Sequence, residues 1–203
     1  MLVKELLHNI NQSGILLANK FYIDIEFPKD ITKALPPSIT EQLLELRASE
    51  VNLAGRNITT FEEPNIYGPI SSVPEGVSYA EDVSISFIDT SHLDCRKLME
   101  LWQETTFSES SWDLGYYNDF VGRISIITLD KNLNATYGIT CYEAYPKTIA
   151  ALPLSSAPTT EAVKTTVGFA FRYWRRMPMT KSKQILTAAN KALALNRAQA
   201  RVP

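Results

Sequence analysis

The sequence has few of the residues on which most enzymes and metalloproteins depend. It contains two cysteines and two histidines in 203 residues, and its eight glycines form neither a dinucleotide-binding motif nor a Walker phosphate loop. His8 and His92 alone cannot build a multi-histidine metal site, and no Cys-x-x-Cys pair occurs. Because no run of about 18 apolar residues exists, a membrane-spanning helix is excluded. We therefore expect no cofactor, no metal ion and no membrane partner.

The two cysteines are too few for a disulfide scaffold. Cys95 falls in a predicted helix and Cys141 in a predicted strand, so we expect both to be reduced thiols in or near the core. The opening residues contain an early Glu5 and no long apolar segment, which is not the pattern of a signal peptide. These features predict assembly in a cytoplasm.

Charge is distributed unevenly along the chain. Seven of the 20 basic residues and none of the 22 acidic residues lie from Arg175 onward, so residues 1–174 carry a net charge of −9 within a total of −2. An acidic body followed by a basic tail predicts two surfaces for two different partners.

Alternating hydrophobicity predicts most of the secondary structure. Strands are expected at residues 21–27 and 83–87, in a hairpin over residues 121–143, and most clearly at 163–174, where apolar and small or polar side chains alternate. A short helix is expected at 2–10 and a longer one from about 181 to 199. The sequence thus predicts a mainly β (α+β) fold with antiparallel strands and one packed central helix, not a doubly wound α/β fold.

The central helix is predicted from its capping residues. Ser91 is expected as the N-cap with Asp94 at the capping-box position, and the helix should run to about Gln103. Its apolar side is Cys95, Leu98, Met99 and Trp102. This capping also explains the cluster at residues 89–95, which otherwise suggests a nucleophile, a base and an acid; true triads assemble from groups distant in sequence.

Residues 57–82 contain three prolines and two glycines with little periodicity, so they are predicted to be a long loop. Their apolar content argues against a solvated linker. We expect the loop to be buried against a neighbouring subunit; the alternative is an irregular β-hairpin packed on its own domain. The proposed inter-subunit residues are Phe61, Ile66, Tyr67, Ile70, Val73, Val77 and Tyr79.

Carboxylate pairs do not support an enzyme. Glu62 and Glu63 adjoin each other, and Asp24 and Glu26 share one strand face, but nothing supplies the apolar pocket that would raise the pKa of one of them. These carboxylates are better explained as residues on the solvent-exposed faces of their segments.

The basic tail, residues 177–203, is predicted to be a helical extension of a domain covering 1–176. Phosphate neutralisation would suit its charge. Its apolar residues, however, favour a protein groove, and it has no aromatic residue that could stack on a base. We expect it to dock on a protein through Arg175, Arg176, Lys181, Lys183, Ile185, Leu193 and Arg197.

The chain resembles the tail tube protein family of contractile-tailed bacteriophages in the order and spacing of several short segments. The resemblance spans roughly residues 15–176. The segments that carry it are Asn-Leu-Ala-Gly-Arg at 52–56, Tyr-Gly-Pro at 67–69, Gly-Val-Ser-Tyr at 76–79, Leu-Trp-Gln at 101–103, Tyr-Tyr-Asn-Asp at 116–119, and the stretches 143–149 and 167–174.

The resemblance implies a structural virion protein with a β-sandwich or barrel-like subunit. Six subunits would form a ring whose strands join into an inner barrel, and stacked rings would form the hollow conduit for genome ejection, surrounded by a sheath. The long loop would be the stacking arm. The hairpin 121–143 would contribute to the inner wall, where Ser125 and Thr140 would line the channel without holding passing DNA.

Two other functions remain open. The tail beyond Arg176 is similar to extensions of baseplate proteins that share this fold, dock on the hub and start tube polymerisation. A different reading is a small ligand-binding β-module that uses Trp112, Tyr116 and Tyr117 as an aromatic platform.

Overall fold

The computed structural model describes residues 16–34, 45, 47–63, 67–79, 82–154 and 162–199, with backbone alone at 30, 33, 34, 192, 193 and 195–199. The predicted helix at 2–10 lies outside the described residues. The described strands are β1 (Phe21–Glu26), β2 (Ala48–Val51), β3 (Asn57–Glu63), β4 (Ser71–Ser78), β5 (Val83–Ile88), β6 (Gly122–Leu129), β7 (Ala135–Ile149), β8 (Lys164–Ala170) and β9 (Tyr173–Arg176). The described helices are α1 (Lys29–Ala34), α2 (Asp94–Thr106), α3 (Tyr117–Phe120) and α4 (Met179–Gln199).

The strands form one antiparallel sheet that folds over on itself, and a separate two-stranded hairpin. The main sheet has the order β1-β6-β7-β8-β5-β2, with β9 pairing on β7, and the hairpin is β3-β4. The first part of β7 pairs with β6 and β9, whereas its last residues pair with β8. The long strand therefore belongs to both layers of a sandwich, and the mainly antiparallel β prediction is confirmed.

The corner between the layers lies at Glu143. This residue has a φ of 56° and is the extra residue of a bulge in β7, where Gly122 pairs with Ala144 and Arg123 with Tyr142. The partner strand breaks at the same level, between β8 and β9. The single strand predicted at 163–174 is therefore two strands, because both chains must turn the corner together.

An ion pair and a hydrogen bond to the Glu143 carboxylate hold the corner. The Arg172 guanidinium lies 3.2 Å from the Glu143 carboxylate, and the Tyr117 hydroxyl donates to the same carboxylate at 2.5 Å. The hydrogen bond from Tyr117 and the nearby guanidinium hold the pKa of Glu143 below its ordinary value. Burial and the carboxylate raise the pKa of Tyr117 to about 12, so at neutral pH the phenol remains a donor.

The core lies between the two layers and is closed on one side by α2. The apolar side of that helix is buried as predicted, with Trp102 fully enclosed. The indole Nε1–H of Trp102 donates to the Phe120 carbonyl at 2.7 Å, so its polar atom is satisfied. Gly122 is required here: a Cβ would lie 2.9 Å from the Trp102 ring and 2.5 Å from the Glu26 carbonyl.

The predicted cap of α2 is wrong. The helix begins at Asp94, after Leu93 in the left-handed region, and no side chain of the N-cap residue bonds to it. Instead, the Asp89 carboxylate accepts the backbone N–H groups of Cys95 at 3.0 Å and Arg96 at 3.2 Å. The Thr165 hydroxyl orients that carboxylate at 2.9 Å. A carboxylate anchored on the sheet replaces the local serine cap.

The segment predicted as a long loop is also different. Over its described residues it is a β-hairpin, with seven residues of β3 paired to β4 and a register shift between Thr59 and Thr60. The register shift lies beside Pro74, which pairs with Thr60. A bulge at this point tolerates a proline, which lacks the N–H that a regular ladder needs. The hairpin is irregular, as the alternative interpretation required, but neither of its strands packs extensively on another described strand or helix.

Candidate assembly surfaces

The β3-β4 hairpin, which we call the arm, exposes apolar side chains on both faces. Ile58 pairs with Val77 on one face, and Phe61 pairs with Val73 on the other. Ile58 is 63% exposed and Val77 55% exposed, and every residue of β3 is exposed. Neither strand packs extensively on another described strand or helix. An isolated two-stranded hairpin is only marginally stable in water, so these faces need a partner surface.

The base of the arm is fixed to the subunit. The Trp174 indole donates to the Gly55 carbonyl at 2.9 Å, and the Arg56 guanidinium lies 5.5 Å from the centre of the same ring. Tyr79 makes edge contacts with Phe171 and Trp174. Tyr79, predicted as an inter-subunit residue, thus anchors the arm to its own subunit.

The other predicted arm residues are placed as follows. Phe61, Tyr67, Ile70 and Val77 are exposed, and Val73 is half-buried. Ile66 lies outside the described residues. The exposed members remain available to another subunit.

The first half of α4 packs on the chain's own sheet. The Met177 N–H donates to the Gly138 carbonyl at 2.8 Å, and Ser182 is fully buried. A Cβ at Gly138 would lie 3.0 Å from the Ser182 hydroxyl oxygen, so this glycine permits the close approach of α4. Beneath the helix, a small cluster contains Ile127, Leu129, Ala135 and Met177, with Tyr22, Met179, Ile185 and Leu186 against it.

This packing corrects part of the predicted docking surface. Ile185 contacts its own subunit and is not a free anchor. Arg175 and Arg176 lie on β9, where their guanidinium groups stand over the rings of Tyr173 and Tyr137. Lys181 and Lys183 are exposed. The side chains of Leu193 and Arg197 lie outside the described part of the structure.

The two layers present different outer faces. Ser125 and Thr140, predicted to line a wet channel, are 2% and 6% exposed, and their hydroxyl oxygens are 3.4 Å apart. The prediction is wrong for this subunit because α4 packs beside this part of the sheet on one side and the stacked Tyr142–Tyr173 rings flank it on the other.

The outer face of β5 and β8 carries small side chains, of which Ser84 and Gly168 are half-buried and the neighbouring Thr148 of β7 is exposed. Ser84 pairs with Gly168, and Gly168 also pairs with Thr148 of β7. Ser86 is itself buried, and its hydroxyl lies 2.9 Å from that of the half-buried Thr166. The face is flanked by a Lys164–Glu50 ion pair at 2.7 Å. Small hydroxyl side chains and a neutralised lysine would leave a smooth polar surface.

A groove runs along the outside of α2, between this helix and the loop that follows it. Its volume is about 610 Å³, and its apolar wall is formed by Phe107, Trp112, Tyr145 and Pro146. A second cavity of about 560 Å³ shares the residues Glu100, Gln103, Glu104 and Glu109, so the two adjoin. Tyr116 and Tyr117 do not line the groove, so the three residues of the predicted aromatic platform do not form one surface.

The loop holds Trp112 in an unusual conformation at the rim. Trp112 has a φ of 59° and is 76% exposed, with its ring against Phe107. Backbone hydrogen bonds close the loop, including one from Gly115 N–H to the Thr106 carbonyl at 3.0 Å. A bulky aromatic residue with a positive φ is uncommon, because this backbone conformation is strained for residues other than glycine. The hydrogen bonds of the loop hold Trp112 in this conformation.

The two cysteines and Asp89, which the sequence offers for catalysis or metal binding, have structural explanations. Burial raises the pKa of both cysteine thiols, that of Cys141 to about 12, so neither is a thiolate at neutral pH. Among the described residues, no three His, Cys, Asp or Glu side chains come together as a metal site. No described helix is long and apolar enough to cross a membrane. Asp89 serves as the cap of α2 instead of acting in a triad.

Comparisons with known proteins agree with the fold. The profile of the family described as phage tail tube protein matches residues 16–177. The chain is similar to a subunit of the anti-feeding prophage baseplate with 13% identity and a TM-score of 0.54, covering 82% of this chain and 97% of that one. A search of curated proteins gives no match.

Two further solved structures share the fold. A subunit of the anti-feeding prophage cap, which terminates the tube, matches with 12% identity and a TM-score of 0.56, covering 80% of this chain and 91% of that one. A subunit of the PVC sheath–tube complex, from an extracellular contractile injection system, matches with 11% identity and a TM-score of 0.55, covering 84% and 96%. At these identities the likeness concerns the fold.

Proposed function

This chain belongs to the phage tail tube protein family, and we propose that it forms hexameric rings that stack into the hollow tube through which the phage genome leaves the virion. The family is a structural one, and the subunit acts by assembly and not by catalysis. Its place is the virion tail, after assembly in the host cytoplasm.

The observation that carries this proposal is the arm. Its exposed apolar residues on two opposite faces have no cover within the described subunit. A stacked ring supplies a surface on both sides of such an arm, because each ring in a tube has a neighbour above and below. The solved baseplate that shares the fold is six-fold symmetric, which supports the same ring symmetry here.

The face of β5 and β8 lines the channel in this proposal. Its small hydroxyl side chains would pass DNA without binding its phosphates tightly, because phosphate binding depends on unneutralised lysine and arginine. The opposite layer and α2 then face outward, toward a sheath.

A second candidate is the baseplate protein that starts tube polymerisation. The observation in its favour is that the family match ends at residue 177, whereas α4 begins at Met179 and extends the fold. An initiator would use this helix against the hub. Copy number per virion separates the two candidates, since a repeated tube subunit is far more abundant than an initiator.

Electron microscopy of the purified full-length protein tests the proposal. We expect rings with six-fold symmetry that stack into tubes as the concentration rises. A protein that remains monomeric at every concentration, and that is absent from purified tails, would contradict it.

A further inference from the structure

The groove on α2 has an apolar wall and an acidic side. Glu100 is paired with Arg96, and Lys147 at the rim is paired with Asp82. Within the described residues, Glu104 and Glu109 make no ion pair. Two carboxylates beside exposed aromatic rings form a surface that suits a positively charged, weakly apolar segment.

A segment of that kind exists on α4. The helix contains no acidic residue. Its side toward the sheet is marked by Met179, Ser182 and Ile185. Lys183, Thr187 and Lys191 follow at intervals of four residues, so they share one stripe on the opposite, solvent-facing side. The two lysines stand about 12 Å apart along the helix.

The lysines of this stripe also lack partners. Both Lys183 and Lys191 are exposed, and within the described residues neither contacts a carboxylate. Thr187 and Ala194 lie on the same side of the helix and are small enough for close contact with aromatic rings. The stripe and the groove are therefore complementary in charge and in bulk.

We propose that the outward stripe of α4 docks in the α2 groove of a neighbouring copy of this chain. This inference rests on the proposed assembly into rings or tubes, and it gives α4 a role between subunits in addition to its packing on its own sheet. The contact is heterologous, since the groove of one copy receives the helix of another, and such a contact propagates around a ring or along a tube.

A charge exchange tests this pairing. The variant Lys183→Glu/Lys191→Glu and the variant Glu104→Lys/Glu109→Lys should each raise the concentration needed for tube formation about tenfold, because each places like charges in contact. Combining all four changes in one chain should restore assembly to within about threefold of the original. Lys131→Glu, on the exposed turn between β6 and β7, is the matched control and should leave assembly unchanged.

Failure of the exchange would overturn the inference without affecting the proposed function. If the original protein forms tubes and the four-change variant stays as defective as the doubles, the stripe and groove do not meet. If Glu104→Lys/Glu109→Lys weakens assembly and Lys183→Glu/Lys191→Glu has no effect, the groove binds something other than the α4 stripe, and the inference is wrong.

Cross-linking tests the contact even if tubes do not form. A Lys191→Cys chain mixed with a Glu104→Cys chain should give a mixed disulfide dimer under mild oxidation, because Cys95 and Cys141 are buried and do not compete. Neither variant alone should give this yield. A mixed dimer no more abundant than that formed with Lys131→Cys in place of Lys191→Cys contradicts the docking.

Discussion

Two hairpins of this subunit have opposite relations to the core. In β6-β7, Ile124, Ile126 and Ile139 are almost completely buried. In the arm, every residue of β3 is exposed and the apolar pairs face outward on both sides. Both are paired antiparallel strands, so pairing does not distinguish them. The first hairpin completes its burial within the subunit, whereas the second finds no extensive cover among the described strands and helices.

The largest expected effect comes from the buried hairpin. Ile126→Ala removes side-chain volume from a fully enclosed site and should lower the free energy of unfolding by about 2–5 kcal/mol. Chemical denaturation of the unassembled subunit measures this change. An unfolding midpoint equal to that of the original protein would show that this hairpin is not part of the stabilising core.

The packing of α4 on the sheet should contribute less. Gly138→Ala places a Cβ 3.0 Å from the Ser182 hydroxyl oxygen and should cost about 1–3 kcal/mol, because Ser182 and the nearby Met177 are buried and must give way. Denaturation measures the loss, and faster hydrogen exchange in α4 would locate it. The matched change Gly76→Ala in the arm meets only Thr59 Oγ1 and should cost less.

The arm should affect assembly much more than folding. Ile58→Ala/Val77→Ala removes exposed apolar surface and should change the free energy of unfolding of the subunit by no more than about 0.5 kcal/mol. Ring stacking, followed by sedimentation and electron microscopy, should be lost. Intact tubes from this double variant would mean that the arm faces solvent in the assembly.

The corner should give the smallest effect at neutral pH and a larger one in acid. The pKa of Glu143 is lowered in the folded protein, so its stabilising contribution is present above the ordinary carboxyl pKa and is lost as pH falls through the lowered value. Glu143→Gln should therefore flatten the acid limb of the stability curve. A variant whose acid unfolding matches that of the original protein would contradict a role for this carboxylate.

The difference between the buried β6-β7 hairpin and the exposed arm explains which parts of the fold can be predicted from the sequence. Strands β6 and β7, the core and the buried side of α2 follow from alternating or helical hydrophobicity, because burial on one face leaves a period in the sequence. The arm leaves no such period. Ile58 and Phe61 face opposite sides and both are exposed, so the sequence pattern indicates a loop and not a strand.

Other features that the sequence does not predict depend on contacts between residues distant in sequence. The cap of α2 depends on Asp89 held by Thr165, which are 76 residues apart. The corner uses Glu143 at a positive φ where glycine would be the usual signal. The groove likewise joins α2 to the end of β7. The charged residues of α2, of the loop after it and of α4 are visible in the sequence, but their arrangement into a groove and a stripe is not.

The passage of β7 through both layers also has a mechanical consequence. In a sandwich whose sheets are joined only by loops, side-chain packing alone couples the two layers. Here a single backbone crosses the corner with hydrogen-bonded neighbours on both sides of it. A force on one layer is therefore carried to the other through covalent bonds as well as through side-chain packing.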